Sequence, residues 1–344
     1  MSRRRFLQTS LLAGAGVATG AFDGGARLLA QAKAPAIGRP PFRILMGGYG
    51  PPNTSFSLGL KQIGDRLVAK FGKDVDVKYV YNIIDLGYKG EDILWLVENG
   101  VLTAGYQSSS YLTDRVPELG VADLPFLFSD TDKARAAMDG RFGQGLVRYI
   151  EAKMNYRILG WFENGFRHVS NSLRPVHVPA DMKGMRIRVL PSKVQERTFE
   201  LIGASPKVMD LSELIPAIKA GMIDAQENPF ANTTTYGVHK LHKFHSATNH
   251  FYLSRPIFLH RQSFDGWPKE LQDEFRAGVN AAVTVQRQAH IKEEEDAMAL
   301  IRKEGGEIVE LTTAEHQAFV DAVKPIYGEA RQQLGKEPLA LAGL

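Results

Sequence analysis

Residues 182–189 read Met-Lys-Gly-Met-Arg-Ile-Arg-Val, and residues 224–229 read Asp-Ala-Gln-Glu-Asn-Pro. In the first run, apolar residues alternate with Arg186 and Arg188, which is the two-residue period of a strand with one apolar face. The planar guanidinium of arginine offers two parallel N–H donors that match the two oxygens of a carboxylate. With an amide such as that of Asn228 across a cleft, Arg188 would form a receptor for a carboxylate. The two runs therefore predict a binding protein.

Length and composition favour a globular protein and argue against a nucleic-acid partner. The chain has 344 residues, of which 44% are hydrophobic, enough for two lobes with separate cores. Its formal net charge of +4 comes largely from residues 1–32, which hold four arginines and one aspartate; 38 basic and 37 acidic residues remain without them. The sequence has no basic stripe interleaved with aromatic residues. It contains no cysteine, which excludes disulfides, thiolate metal sites and a cysteine nucleophile.

The first 32 residues have the three parts of an export signal. Residues 2–8 read Ser-Arg-Arg-Arg-Phe-Leu-Gln, a stretch rich in Gly and Ala follows over 11–22, and Ala-Gln-Ala occupies 30–32. The start resembles a twin-arginine signal in which Gln8 replaces the final lysine. We predict a signal peptide over residues 1–32, passage through the twin-arginine translocase, cleavage after Ala32 and a periplasmic location. An uncleaved membrane anchor is the alternative.

Beyond this segment, runs with the period of strands alternate with runs of helical period. Strands are predicted over 42–46, 75–81, 102–106 and 156–161, and helices over 57–71, 91–99, about 131–154 and 268–303. Capping patterns at 210–213 and 312–315 open two further helices, the second of which we expect to be the last. This order predicts an α/β fold with largely parallel strand pairing. Because no clean boundary appears, we expect two lobes whose strands cross back and forth.

Seven segments carry a family resemblance. They are Ser-Ser-Ser-Tyr-Leu at 108–112, Val-Pro-Glu-Leu-Gly-Val-Ala-Asp-Leu-Pro-Phe-Leu-Phe at 116–128, Asn-Gly-Phe-Arg at 164–167, Met-Lys-Gly-Met-Arg-Ile-Arg at 182–188, Gly-Ala-Ser-Pro at 203–206, Asp-Ala-Gln-Glu-Asn-Pro at 224–229 and Thr-Asn-His at 248–250. Together they resemble the solute-binding proteins of tripartite ATP-independent periplasmic (TRAP) transporters, the DctP-like family. The resemblance covers roughly residues 42 to 300.

The resemblance implies a two-lobed periplasmic solute-binding protein of the α/β class, with a ligand cleft between the lobes and a long helix spanning both. Lobe I would comprise 42–164 plus 254–292, and lobe II would comprise 165–253 plus 293–335. Such a receptor is not an enzyme and uses no cofactor. It binds a small organic acid and delivers it to a TRAP permease of one small and one large membrane subunit.

The resemblance also assigns site residues. It implies that Arg188 forms a two-pronged salt bridge with the ligand carboxylate and that Arg167 and Asn228 add donors. The same segments supply five further candidates for ligand contact, namely Gln226, Glu227, Ser109, Tyr111 and Phe166, and Trp161, which ends the strand predicted over 156–161, is a sixth candidate.

Each assignment has a structural alternative. Arg188 could be a solvated strand arginine, Arg167 could pin the lobes through an ion pair, and Asn228 before a proline could be a turn residue. The aromatic candidates could belong to the core.

Four histidines, His239, His242, His245 and His250, invite a metal interpretation. Their spacing places ligands unevenly around a helix and no carboxylate pattern accompanies them, so the sequence favours a solvated surface helix and no metal site. The loops 48–54 and 84–89 depart from the family pattern, which leaves the ligand's identity and its lobe I contacts open. Two other functional classes remain as alternatives. They are a binding protein for an ATP-driven permease or a sensor, and an exported enzyme.

Overall fold

The computed structural model describes residues 41–344, so the predicted signal peptide lies outside the described residues. Within this range the strands are β1 (Phe42–Gly47), β2 (Val75–Val80), β3 (Ala104–Tyr106), β4 (Tyr156–Asn171), β5 (Arg186–Val189), β6 (Ser205–Val208), β7 (Ala225–Asn228), β8 (Phe244–His260) and β9 (Glu307–Val309). The helices are α1 (Ser55–Phe71), α2 (Ile93–Glu98), α3 (Thr131–Asp139), α4 (Arg141–Lys153), α5 (Lys193–Ile202), α6 (Leu211–Lys219), α7 (Phe230–Thr235), α8 (Arg261–Asp265), α9 (Lys269–Lys303), α10 (Thr313–Val323), α11 (Pro325–Gln333) and α12 (Lys336–Leu341).

One mixed sheet runs through the described part of the chain in the order β2-β1-β3-β8-β4-β7-β5-β6, and β9 pairs with β8. The prediction of largely parallel pairing is only partly right. The pairs β1–β2, β1–β3, β5–β6, β5–β7 and β8–β9 are parallel, whereas the longest pair, β4–β8, is antiparallel, as are β3–β8 and β4–β7. Two long antiparallel strands therefore join two largely parallel halves.

These long strands explain why no domain boundary shows in the sequence. β4 begins beside the end of β8 at Tyr156↔His260 and ends beside its start at Asn171↔Phe244, and its register shifts at three places. One apolar core packs around β1, β3 and the first half of β4, and a second packs around β5 and the last residues of β4. The proposed boundaries of the two lobes stay a prediction.

Two predicted elements differ from the structure. The strand predicted over 156–161 continues to Asn171, because the polar residues that follow Trp161 are themselves buried and the strand keeps its ladder partners on β8. The helix predicted over about 131–154 is divided into α3 and α4 at Gly140, whose backbone (φ −97°, ψ −149°) is not helical.

The long helix predicted from Pro268 to Lys303 is confirmed as α9. It packs against α1 in the first half of the sheet and against α7 in the second. Two adjacent side chains tie it to both: Glu293 accepts a hydrogen bond from the backbone N–H of Ser55, and Glu294 accepts from those of Phe230 and Ala231. Both glutamates are partly buried because they cap helix N-termini. No helix within residues 41–344 has the length and apolar character needed to cross a membrane.

Both predicted capping boxes are present, at Asp210 before α6 and at Thr312 before α10. In each, the side chain of the first residue accepts a hydrogen bond from a backbone N–H three residues on. The carboxylate of a glutamate at that third position accepts from the backbone N–H of the first residue. The expectation that Thr312 opens the last helix is wrong, since α11 and α12 follow it.

The histidine segment was also predicted wrongly, since it forms no surface helix. His239 lies in a single 3₁₀ turn, while His245 and His250 lie on β8, and all four histidines are buried. Burial lowers the pKa of His242 to about 3 and that of His245 to about 4, so both are neutral at ordinary pH. Apolar residues between the histidines, such as Phe244, form the strand that buries them.

Candidate functional site

The ends of four strands meet at one cleft. Tyr49 follows β1, Ser108 and Tyr111 follow β3, and Arg188 and Asn228 lie at the ends of β5 and β7. In open α/β sheets, ligands bind outside the carboxyl ends of strands where the strand order reverses. The sheet topology therefore brings these side chains together from distant parts of the sequence.

The cleft contains a cavity. Three guanidinium groups face it together with small amides, tyrosines and two leucines. The lining residues are Tyr49, Ser108, Tyr111, Arg167, Arg188, Leu190, Leu211, Asn228, Asn232, Tyr236 and Arg255. No lining residue is an aspartate or glutamate, so the wall as a whole favours an anion.

Arg188 lies in this wall with 1% of its surface exposed, which excludes a solvated strand arginine. Its Nε donates to the carbonyl of Met209 at 2.8 Å, and Nη2 donates to the Tyr111 hydroxyl at 3.1 Å. A guanidinium has five N–H donors, so three remain after these two contacts within the described part of the chain. The two contacts fix the plane of the Arg188 guanidinium and leave its remaining N–H donors for a ligand.

Arg167 also faces the cavity, but its charge is already compensated. Nε and Nη2 both donate to the Glu227 carboxylate, and Nη2 donates to the Glu227 carbonyl at 2.7 Å. Arg167 is 2% exposed and Glu227 is fully buried, with His250 Nε2 lying 3.5 Å from the same carboxylate. Burial alone would raise the pKa of Glu227, but Arg167 and His250 hold it below its ordinary value. The buried ion pair considered for Arg167 is thus present, between β4 and β7.

An amide network supports Asn228. Its side-chain nitrogen donates to Gln226 Oε1 at 2.6 Å, and its oxygen accepts from Asn232 at 3.3 Å. Asn232 also donates to Asn164 Oδ1 at 3.0 Å. The network holds Asn228 and Asn232 side by side along one wall of the cavity.

Four of the nine predicted residues line the cavity, namely Arg188, Arg167, Asn228 and Tyr111, and five do not. Gln226 donates to Ser170 and Thr233 behind the wall, and Glu227 is the partner of Arg167. Ser109 is buried beside Ser108, which takes the position facing the cavity. Phe166 packs on Tyr252, and Trp161 belongs to the first apolar core. Phe166 and Trp161 therefore lie against or in the core, which agrees with the structural alternative given for the aromatic candidates.

Sequence reasoning did not name seven lining residues, namely Tyr49, Ser108, Leu190, Leu211, Asn232, Tyr236 and Arg255. Tyr49 lies in a loop that departs from the family pattern. Arg255 stands before Pro256 within a strongly apolar run on β8. A charged residue inside a buried run is unusual, and this could have identified Arg255 as a candidate from the sequence.

Two tyrosines of the cleft, Tyr49 and Tyr111, are neutral. Burial raises the pKa of Tyr111 to about 12, although Arg188 opposes the shift, and burial raises the pKa of Tyr49 well above its ordinary value. Their hydroxyl groups therefore supply donors and acceptors but no negative charge.

Hydrogen bonds connect the two halves of the sheet across the cleft. The Asp210 carboxylate, at the start of α6, accepts hydrogen bonds from the backbone N–H groups of Gly90 at 3.0 Å and Glu91 at 3.1 Å. Thr113 donates to the carbonyl of Pro191 at 2.9 Å. Both connect segments of the first half of the sheet to the second, so the described arrangement is a closed one.

Within residues 41–344, no group of three or more His, Asp or Glu side chains is placed to hold a metal ion.

Residues 47–333 match the family described as "Bacterial extracellular solute-binding protein, family 7". The C4-dicarboxylate-binding periplasmic protein DctP of Rhodobacter capsulatus is 31% identical over 230 residues, 65% of this chain and 67% of that protein. The 2,3-diketo-L-gulonate-binding periplasmic protein YiaO of Escherichia coli K12 is 30% identical over 66% of this chain and 68% of its own length.

A crystal structure of a TRAP periplasmic solute binding protein from Sulfurospirillum deleyianum with bound succinate superposes with a TM-score of 0.82 at 26% identity. The superposition covers 88% of this chain and 98% of the other. This likeness confirms the predicted two-lobed α/β fold class.

Proposed function

Because the chain belongs to family 7 of the bacterial extracellular solute-binding proteins, we propose that it captures a small organic acid through Arg188 and delivers it to a TRAP permease. Family membership confirms the resemblance drawn from the sequence and agrees with a periplasmic location. Members of this family are substrate receptors and not enzymes. The permease would consist of one small and one large membrane subunit.

One observation carries the proposal: the Arg188 guanidinium is buried, faces the cavity and has no carboxylate within 4.0 Å among the described residues. An isolated cation removed from water costs several kcal/mol unless an anion compensates it. A ligand carboxylate would supply that anion and occupy the remaining N–H donors. The names of the relatives agree, since C4-dicarboxylates, 2,3-diketo-L-gulonate and succinate are all carboxylic acids.

Closure explains how such a site holds its ligand. The contacts of Asp210 and Thr113 bring the two halves together over the cavity. Water is then excluded, which strengthens each charge contact with the ligand. The proposed lobe boundaries, at about residues 164 and 253, place the pivot in β4 and β8.

A ligand screen with one matched pair of variants tests the proposal. The mature protein is screened by thermal shift against small organic acids, because a ligand that binds only the native state raises the melting temperature. Arg188→Ala is expected to lose about 2–5 kcal/mol of affinity in calorimetry while keeping its fold. Arg186→Ala is the control, since that side chain lies on the other face of β5 and pairs with Asp224. Equal affinity of the Arg188 variant and the wild type would refute the role of Arg188.

The permease partner needs a separate test. Proteoliposomes containing the two membrane subunits encoded beside this gene are expected to take up the acid only when the receptor is added. Genes for an ATPase in that position would instead favour the ATP-driven alternative.

A further inference from the structure

Arg255 is a second buried cation in the cleft. It lies on β8, opposite Phe162 of β4, has 3% of its surface exposed and lines the same cavity as Arg188. Three aromatic rings surround it: its guanidinium carbon lies 3.9 Å from the ring centre of Phe56 and 4.9 Å from that of Tyr49. The third, Tyr106, is 5.7 Å away.

The hydrogen bonds of Arg255 leave its charge uncompensated. Nη2 donates to Asn164 Oδ1 at 2.7 Å, the Tyr236 hydroxyl lies beside the guanidinium, and Nε has no partner within the described residues. No carboxylate lies within 4.0 Å in that same range. Aromatic faces stabilise a desolvated cation by about 2 kcal/mol, which is less than the several kcal/mol that burial of the ion costs.

Arg255 differs from Arg167 in the charge of its surroundings. Three guanidinium groups face the cavity, and Glu227 neutralises only that of Arg167. Arg188 and Arg255 thus contribute two positive charges with no negative partner. The Asp210 carboxylate, at the start of α6, is engaged by backbone N–H groups and by Ser212.

We infer that Arg255 forms a second anion-binding subsite and that the ligand is a dianion, with one negative group on Arg188 and the other on Arg255. This inference rests on the proposed function and narrows its substrate class. Monoanionic acids leave one buried guanidinium unpaired and so bind more weakly. The Arg255 guanidinium, which lies between aromatic rings, holds the second negative group. This second subsite accepts a carboxylate or another small oxyanion.

Asn164 connects this subsite to the rest of the cleft. Its Oδ1 accepts from both Arg255 and Asn232, and Asn232 contacts Asn228 beside the cavity. An anionic group bound to Arg255 would therefore lie close to the Asn228 and Asn232 amides, which face the rest of the ligand. Leu190 and Leu211 supply the apolar part of the wall.

Matched ligands test the inference on the wild-type protein alone. Calorimetry compares succinate, L-malate and 2-oxoglutarate with acids of the same shape in which the second carboxylate is an amide, such as succinamate. A third arm, 3-phosphonopropionate, replaces that carboxylate by a phosphonate. We expect the dianion that binds best to exceed its monoamide by about 30-fold or more. Equal affinity for a dianion and its monoamide would overturn the inference.

Variants assign the preference to one side chain. Arg255→Gln is expected to bring the affinity for the dianion down to that for the monoamide, and Arg255→Lys to retain a preference. Arg186→Gln, which changes an exposed arginine, should leave both affinities unaltered. Because Arg255→Gln removes an unpaired buried charge, its ligand-free melting temperature should be no lower than that of the wild type. A lower melting temperature with an intact dianion preference would show a structural role and overturn the inference.

The two proposals fail in different ways. If no organic acid of either charge binds the wild-type protein, the proposed function fails. If monoanions bind as tightly as dianions and still depend on Arg188, only the second subsite fails.

Discussion

Removing one partner of the Arg167–Glu227 pair measures what that pair contributes to stability. In Arg167→Ala, the Glu227 carboxylate stays buried with His250 as its remaining neighbour. In the wild type, burial and, after it, the Arg167 charge lower the pKa of His250. Breaking a buried ion pair in this way costs about 3–5 kcal/mol, because an uncompensated charge is left behind.

Urea unfolding followed by circular dichroism gives the free energy of unfolding for the wild type, Arg167→Ala, Glu227→Gln and the double variant. The double variant should be more stable than Arg167→Ala, since it removes the unpaired carboxylate. Arg115→Ala is the control, because the Arg115 side chain is half exposed and its two-pronged pair with Glu98 should contribute about 1 kcal/mol or less.

The pH dependence follows from the lowered pKa of Glu227 in the folded protein. A lowered pKa stabilises the fold above the pKa of the unfolded state, and that stabilisation is lost as pH falls through the folded value. The difference between the wild type and Arg167→Ala should therefore shrink in acid. If Arg167→Ala costs no more than Arg115→Ala at neutral pH, the assignment of Arg167 to a buried stabilising pair is refuted.

Three other substitutions have defined outcomes. Burial raises the pKa of Asp123 from 3.8 to about 6. The protonated Asp123 carboxyl therefore contributes fully to the stability of the fold below about pH 4, and this contribution is lost as pH rises through about 6. Urea unfolding of Asp123→Asn across this range should therefore show the wild type losing up to about 3 kcal/mol relative to the variant, and a constant difference would contradict this. Gly165→Ala should destabilise more than Gly184→Ala, by about 1 kcal/mol or more in the same assay. Both glycines have positive φ, but only at the first would a Cβ meet a neighbouring ring, at 2.7 Å. Asp210→Ala should release ligand about tenfold faster in stopped-flow, because it removes two hydrogen bonds across the cleft. Thr312→Ala, which removes a helix cap elsewhere, should leave that rate unchanged.

Local patterns in the sequence predicted much of the fold. The alternation around Arg188 predicted β5, the caps at Asp210 and Thr312 predicted the starts of α6 and α10, and Pro268 marked the start of α9. Each of these signals lies within a few residues of the feature it predicts, because strand period, helix caps and proline geometry are local properties. The buried histidines of β8 were missed because polar residues inside a strand break the apolar pattern.

The composition of the site depended on contacts between distant residues. The sequence identified Arg188, Arg167 and Asn228 through a family resemblance, but could not distinguish an arginine neutralised by Glu227 from one left unpaired. Nor did it identify Arg255, whose aromatic neighbours come from separate elements.

The amino-acid sequence by itself determined the α/β class, the family, the long helix and an arginine suited to a carboxylate. Only the tertiary structure decided that β4 and β8 run antiparallel through both halves and that two of three cleft guanidinium groups have no carboxylate partner within residues 41–344. The physical reason is that periodicity and capping act between neighbours along the chain. The pairing of buried charges instead depends on which strands become adjacent in the sheet.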